Sequence, residues 1–259
     1  MLPVARAARA GWQRIVKVSF NLSTAALKRF YENVGIRKTS EGYAVALDGR
    51  VVKTPLRNEL LVPSESLAVA IAAEWDAQWE KIQPSGMHLT SLCMTAIDKL
   101  SETTRESQVS DILPFLQTDC SCFRVSEPDD FVKLQTDTWD PIIDWFQNKF
   151  DVKLKVSTGL LEAFQEIETM DRVRDVLMTY DPHVLLGVHS AVSSLSSLVI
   201  AMGLVGNFIS VEKAVQAANL ESEYQTKKWG TVEWSHSMSY TDTTARVAAS
   251  MLFIKHYKS

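Results

Sequence analysis

The stretch from residue 182 to residue 211 constrains the fold most, because it contains no Asp, Glu, Lys or Arg. Its length alone would permit a membrane-spanning helix. His183, His189 and several serines interrupt it, and its flanks lack the aromatic belts of a bilayer interface. A helix that is buried on most sides explains the pattern more simply. We therefore predict a buried central helix over residues 183–205 and no membrane insertion.

The order of the periodic patterns along the chain predicts the fold class. In residues 42–53, large and small apolar side chains alternate around Asp48 and Gly49, a pair that supplies the positive φ angles of a two-residue hairpin turn. From about residue 168 onward the periodicity is helical. The chain is therefore predicted to be α+β, with a small antiparallel β-rich N-terminal domain at 28–122 and a larger, mostly α-helical domain at 123–259.

Four further secondary-structure predictions concern single segments. A helix over residues 65–82 would place Trp75 on its buried side and Trp79 at the edge of that side. The segments 119–125 and 153–156 are strand-like, and a continuous helix is predicted over 210–229.

The N-terminal segment differs in charge from the rest of the chain. Residues 1–31 contain six basic residues and no acidic residue, whereas the rest of the chain holds 21 basic and 31 acidic residues. Spaced arginines among small residues are typical of a mitochondrial transit peptide, which we place at 1–27; a disordered basic tail is the alternative. The acidic body argues against nucleic-acid binding and favours a positively charged or chaperone-dependent protein partner.

The residues that most often carry chemistry form no recognisable site. Cys93, Cys120 and Cys122 have no framework spacing, which indicates reduced thiols, and no second Cys/His pair completes a metal site beside Cys120 and Cys122. The sequence has no phosphate-binding loop, dinucleotide fingerprint, nucleophile elbow or zinc-binding HExxH motif. We predict no cofactor, no metal and no enzymatic activity.

A candidate contact surface lies near the end of the predicted helix over 210–229. At 100° per residue, Glu221, Gln225 and Trp229 continue the apolar stripe that begins at Val211. Burial of an unpaired carboxylate is very costly, so Glu221 either leaves the domain or has a partner. Glu221 and Glu223 lie about 200° apart around a helix, which prevents them from acting as a close pair on one substrate atom.

Two alternatives for this segment stay open. Glu221, Glu233 and His236 could form a small-molecule hydrolase or transferase site if they converge in a pocket, although a capping or packing role explains His236 more simply. Trp229 could be a hot spot for a protein partner or could seal the end of its helix.

Several motifs, in their order and spacing, resemble one protein family over residues 28–257. The motifs are Arg29-Phe-Tyr-Glu32, Gly42-Tyr-Ala-Val-Ala-Leu-Asp-Gly-Arg50, Lys53-Thr-Pro55, Ala73-Glu-Trp-Asp76, Met87-His-Leu-Thr90 with Asp98, Asp119-Cys120, Trp139-Asp-Pro141, and Glu221-x-Glu-Tyr-Gln225 with Trp229-Gly230 and Glu233. Together they resemble the mitochondrial ATP synthase assembly factor 2 family, whose members chaperone the alpha subunit of the catalytic head.

The resemblance implies a non-enzymatic protein of the mitochondrial matrix, which we expect to be a monomer. It would bind the unassembled alpha subunit, shield its subunit interface from aggregation, and be displaced when the beta subunit pairs. Ser222 departs from the acidic residue that relatives often carry. The residues implied in partner binding are Glu221, Glu223, Gln225, Trp229 and Glu233, and those implied in structure are Trp75, Gly49 and Asp48.

Overall fold

The computed structural model describes residues 27–158, 164–230 and 233–257. Strands come first and helices follow, so the predicted α+β class is confirmed. The strands are β1 (Val34–Lys38), β2 (Tyr43–Leu47), β3 (Arg50–Val51) and β4 (Leu61–Val62). The helices are α1 (Glu65–Asp76), α2 (His88–Lys99), α3 (Arg105–Ile112), α4 (Pro114–Gln117), α5 (Asp129–Phe150), α6 (Ile167–Leu177), α7 (Pro182–Leu195), α8 (Leu198–Val205), α9 (Val211–Ala218), α10 (Leu220–Trp229) and α11 (Glu233–His256).

The described chain forms two compact units. The first contains residues 27–104 together with 249–257, and the second contains residues 105–248. The predicted domain boundary between residues 122 and 123 stays a prediction, because a compact grouping does not show which part folds independently. The predicted transit peptide at 1–27 lies outside the described residues apart from Leu27.

The first unit is built on an antiparallel sheet. β2 pairs with β1, β3 and β4, and α1 packs against β1 and β2. Leu47 lies opposite Arg50, and the two residues between them, Asp48 at φ 45° and Gly49 at φ 80°, make the predicted hairpin turn. Gly42 is also constrained, because it has a φ of 142° and a Cβ there would lie 2.5 Å from the carbonyl oxygen of Val62.

The first helix is shorter than predicted, because it ends at Asp76 and not at residue 82. The chain then turns and pairs with the N-terminal segment, since the Ile82 amide donates to the Leu27 carbonyl at 2.9 Å. Trp75 is buried within α1, as predicted, with 6% of its surface exposed. Trp79 lies beyond the helix and is 86% exposed, so its predicted place beside the buried side is wrong.

The second unit has its core in the stretch that lacks charged residues. α7 packs against α3 and α8, and α8 also packs against α5 and α9. Every residue from Leu198 to Leu204 is buried, as expected for a helix surrounded by other helices. In the described part of the chain, no helix has the length and apolar character needed to cross a membrane.

The predicted single helix over 183–205 is two helices. Ser196 adopts a left-handed conformation with φ 53°, and the Ser197 side chain caps α8 by accepting from the Ile200 amide at 2.9 Å. A serine side chain that bonds the backbone in this way favours a helix start over a helix interior. The periodicity is helical on both sides of the break, which hides the break in the sequence.

The predicted strands at 119–125 and 153–156 are also wrong. Cys120–Cys122 form a short 3-10 turn, and Phe123 makes a single parallel bridge to Ser157, which lies just beyond the second segment. The buried Asp119 carboxylate imposes the turn by accepting from the amide and hydroxyl of Ser121. Burial raises the pKa of the thiols of Cys120 and Cys122.

Candidate partner-binding helix

One side of α10 is anchored to the beginning of α5. The Tyr224 ring stacks on Phe131 with 4.4 Å between the ring centroids, and its hydroxyl donates to the Asp130 carboxylate at 2.8 Å. Leu220, at the start of α10, is buried. These contacts fix the rotation of the helix about its own axis, and therefore fix which side chains it presents.

Lys228 extends this anchored side toward the end of the helix. Its ammonium donates to the Tyr224 hydroxyl at 3.1 Å, and this hydrogen bond raises the pKa of Lys228. The ammonium also lies 5.7 Å from the centroid of the Trp229 ring, within the range of a cation–π contact. Lys228 therefore stays charged and orients the indole ring of its neighbour.

A neighbouring side of α10, centred about 100° around the helix from Tyr224, presents Glu221, Gln225 and Trp229, which we call the α10 stripe. These residues follow one another at intervals of four, so they align along the helix. All three are exposed, and Trp229 has 72% of its surface accessible. The Gln225 amide donates to the Glu221 carboxylate at 3.0 Å, which links two members of the stripe.

The predicted inward direction of the α10 stripe is wrong. The helix expected over 210–229 breaks at Asn219, which has φ −104° and ψ 11°. Ala214, Val215 and Ala217 form the buried side of α9, but the break changes the helical phase before Glu221. The Glu221 side chain therefore points into solvent, which was one of the two outcomes that its charge allowed.

The other two predicted binding residues do not lie on the stripe. Glu223 is half-buried and lies about 160° from Glu221 around the helix by the shorter way. Glu233 is the first residue of α11, but its side chain and that of His236 lie outside the described part of the chain. The hydrolase hypothesis stays untested, because only Glu221 of its three side chains is described.

The residues implied in structure all lie in the first unit. The Tyr31 hydroxyl donates to the Trp75 carbonyl at 2.6 Å, while the Trp75 indole nitrogen is buried without a hydrogen-bond partner. Asp48 adds a feature that the sequence did not reveal, since its carboxylate accepts from the backbone amides of Glu32 and Asn33. These hydrogen bonds lower the pKa of Asp48.

A cavity of about 380 Å³ lies elsewhere, in the first unit between Leu56, Met94 and Asp98. Its one deeply placed carboxylate, that of Asp98, is already held by the hydroxyl of Thr54 at 2.6 Å and the side-chain amide of Asn58 at 2.9 Å. None of the predicted binding residues lines it. Across the residues that the structure describes, no group of three or more His, Cys, Asp or Glu side chains could hold a metal ion.

Comparison with known proteins finds one matching family. The profile described as ATP12 chaperone protein matches residues 28–147, from the first described residues to the later turns of α5. The mitochondrial protein atp12 of Schizosaccharomyces pombe is 29% identical over 247 residues, which cover 91% of this chain and 85% of the relative. Over residues 28–147 the chain matches the ATP12 chaperone family.

Solved structures extend the likeness to ATP12 beyond the region that the profile matches. The crystal structure of Atp12 from Paracoccus denitrificans superposes with a TM-score of 0.75 at 29% identity, over 88% of this chain and 97% of that one. A protein from Agrobacterium tumefaciens superposes with a TM-score of 0.82 at 27% identity, over 97% of this chain and 100% of that one. The ATP12 profile ends before α10, so the roles of the α10 residues stay predictions.

Proposed function

We propose that this chain is an assembly chaperone of the mitochondrial matrix that binds the unassembled alpha subunit of ATP synthase. It would shield the subunit interface of the alpha subunit from aggregation until the beta subunit takes its place. The match to the ATP12 chaperone family and the similarity to relatives named as mitochondrial support this proposal. Under it, the protein acts by binding alone, without catalysis or a cofactor.

The observation that carries the proposal is that some side chains of α10 hold the helix in place while others are left exposed. Tyr224 anchors the helix to α5, while Glu221 and Trp229 remain exposed and contribute little to packing. A tryptophan that is exposed on a fixed helix is a typical anchor for a protein partner. Because the helix is already ordered, a partner would bind it without the entropic cost of ordering a loop.

Shielding an exposed subunit surface requires binding but no chemical reaction. Subunits of a permanent complex expose large apolar surfaces before they assemble, and such surfaces aggregate. An aromatic side chain flanked by a carboxylate would cover part of such a surface and keep it hydrated at the rim. The true neighbouring subunit would displace the chaperone by mass action if it binds more tightly. Release would then need no hydrolysis by this chain.

The test is a charge reversal on the stripe, Glu221→Lys, compared with the same change at Glu168. Both glutamates are exposed and lie in the first turn of their helices, so the cost of a cation near the helix N-terminus is matched. We expect Glu221→Lys to hold at least about tenfold less alpha subunit in solution. Glu168→Lys should keep the wild-type yield, and the two variants should melt at the same temperature as each other.

Two different results would contradict two different parts of the proposal. Co-purification of Glu221→Lys with the alpha subunit at wild-type yield would show that the α10 stripe is not the binding site. Failure of the unaltered chain to keep the alpha subunit soluble would overturn the partner itself. The location is tested separately, by import into isolated mitochondria followed by sequencing of the N-terminus of the imported chain.

A further inference from the structure

The N-terminal residues of the first unit form a short antiparallel ribbon with the chain that follows α1. The Arg29 amide donates to the Glu80 carbonyl, and the Ile82 amide donates to the Leu27 carbonyl, each at 2.9 Å. Between these two hydrogen bonds, Lys28 lies opposite Lys81 in an antiparallel β-bridge. Lys28 and Lys81 are therefore a directly opposed pair without hydrogen bonds between them. In such pairs the side chains approach most closely.

The ribbon has one buried and one exposed face. Tyr31 and Ile82 point inward, and each has 5% of its surface exposed. Since side chains alternate along a strand, the intervening residues point outward. Lys28 and Lys81 are exposed, Phe30 is 65% exposed and Trp79 is 86% exposed. We call these four residues the ribbon face.

The ribbon is held firmly although its outer face is open. The Arg29 guanidinium donates to the carbonyls of Asp76, Gln78 and Glu32, so one side chain ties both arms together. The same guanidinium lies 4.7 Å from the centroid of the Tyr31 ring. The exposed aromatics are therefore presented on a fixed scaffold.

The two lysines of the ribbon face lack the partners that such a pair needs. Like charges directly opposite each other destabilise an antiparallel pair. Neither Lys28 nor Lys81 makes an ion pair within the described residues, although the chain as a whole has a net charge of −4. A carboxylate placed between the two ammonium groups would remove the repulsion. The face thus combines two positive charges that are unpaired within the described residues with a large apolar surface.

We propose that the ribbon face is a second docking surface for the client subunit, and that it takes a segment with a large apolar side chain beside a carboxylate. The inference rests on the proposed function, because the client is the one named there. Phe30 and Trp79 would bury the apolar side chain, and Lys28 and Lys81 would bind the carboxylate. Trp is among the residue types that contribute most to protein interfaces, and charge complementarity would guide the encounter.

Charge favours this occupant over the other candidates. The chain's own N-terminal segment carries Arg6, Arg9, Arg14 and Lys17 and no acidic residue, so the lysines of the ribbon face repel it. Each basic residue near an anionic membrane contributes about 1 kcal/mol of attraction, so two lysines would bind such a surface only weakly.

The experiment measures the affinity of the full chain for purified alpha subunit at 0.05 M and 0.5 M salt. We expect Lys28→Glu with Lys81→Glu to weaken binding about tenfold at low salt, and less at high salt where charges are screened. Trp79→Ser should weaken binding about tenfold at both salt concentrations. The control, Lys38→Glu with Lys53→Glu, makes the same charge change at exposed lysines of this unit and should stay within about twofold.

The outcomes separate this inference from the proposed function. If the unaltered chain binds the alpha subunit, Glu221→Lys does not, and both ribbon variants bind normally, the ribbon inference is wrong and the proposed function stands. If the unaltered chain does not bind, the proposed function fails first. Binding to vesicles with 30% anionic lipid that Trp79→Ser abolishes would overturn the inference in favour of a membrane. A dimer by light scattering that Trp79→Ser converts to a monomer would overturn it in favour of a second copy.

Discussion

Trp139 and Trp229 show how the second unit uses the same residue type in two ways. Trp139 in α5 is 4% exposed, and its indole nitrogen donates to the Ala217 carbonyl at 2.8 Å. Trp229 at the end of α10 is 72% exposed and meets the Lys228 ammonium through its ring. Trp139 therefore contributes to the core through burial and a hydrogen bond, whereas most of the Trp229 ring remains accessible to a partner.

The acidic residues of the unit divide in the same way. The Asp119 carboxylate is buried and accepts from Ser121, from the Ser197 hydroxyl at 2.7 Å and from the Val199 amide at 2.9 Å. Glu221 lies at the surface and accepts only from Gln225 among the side chains described. A buried carboxylate is tolerated only when its partners are provided, so Asp119 belongs to the structure and Glu221 is free to serve a partner.

Among these variants, Asp119→Ala should have the largest effect on stability. It leaves the donors of Ser121, Ser197 and Val199 without an acceptor in the core, and each lost partner costs about 1–3 kcal/mol. We expect the free energy of unfolding to fall by about 4 kcal/mol. Urea denaturation measures it, with Glu221→Ala as the matched control at the surface. A loss below about 1 kcal/mol would mean that the carboxylate does not organise this turn.

His189 in α7 sharpens the comparison through pH. Burial lowers the pKa of His189 to about 4, while the unfolded chain takes up a proton near pH 6.5. The unfolded state therefore binds more protons between these values, and stability is present above pH 6.5 and lost as the pH falls toward 4. At about 1.4 kcal/mol per unit, this one group accounts for about 3 kcal/mol.

The measurement is the free energy of unfolding of the unaltered chain and of His189→Gln at pH 4.5 and at pH 7. The variant should lose less stability than the unaltered chain when the pH is lowered, even if it is less stable at pH 7. Parallel curves for the two proteins would show that His189 is not a source of acid sensitivity.

A smaller effect separates the two tryptophans directly. Trp139→Phe removes the hydrogen bond to the Ala217 carbonyl and leaves that buried acceptor unpaired, which we expect to cost about 2 kcal/mol. Trp229→Phe should change the free energy of unfolding by less than about 0.5 kcal/mol, because the ring is exposed. Thermal unfolding of the two variants side by side provides the comparison, and equal losses would contradict it.

The sequence predicted those parts of the fold that local chemistry decides. The alternation in β2 and the Asp48-Gly49 pair determine the hairpin within a few residues, and the uncharged stretch identifies the buried helices α7 and α8. Both features depend on neighbours in the chain. The fold class followed from their order, and the structure confirms it.

The helix ends were missed because distant residues set them. α8 begins where it does because Asp119, 78 residues earlier, accepts from Ser197. α1 stops at Asp76 because the guanidinium of Arg29, 47 residues earlier, donates a hydrogen bond to the Asp76 carbonyl. Neither donor–acceptor pair leaves a pattern in a short window of sequence. Secondary-structure periodicity alone continues through such points.

The same limit explains the error at the candidate site. Counting 100° per residue from Val211 carried the helical phase across Asn219, where the chain breaks. Glu221 and Trp229 were therefore counted as a continuation of the buried side of α9, whereas both are exposed, and their role in binding stays a prediction. The exposed pair Phe30 and Trp79 was missed for the reverse reason, because Trp79 was counted as part of a helix that ends before it.

The smallest expected effect tests the exposed side of the comparison. Glu221→Gln combined with Trp229→Ser removes the charge and the aromatic ring of the α10 stripe, while Tyr224 keeps the helix anchored to α5. The free energy of unfolding should change by less than about 0.5 kcal/mol, because neither side chain is buried. Urea denaturation of this double variant, with Tyr224→Phe as a control that removes an anchoring hydrogen bond, measures the difference. A loss above about 1 kcal/mol in the double variant would place the α10 stripe among the structural residues, and Glu221 and Trp229 would then no longer differ in kind from Asp119 and Trp139.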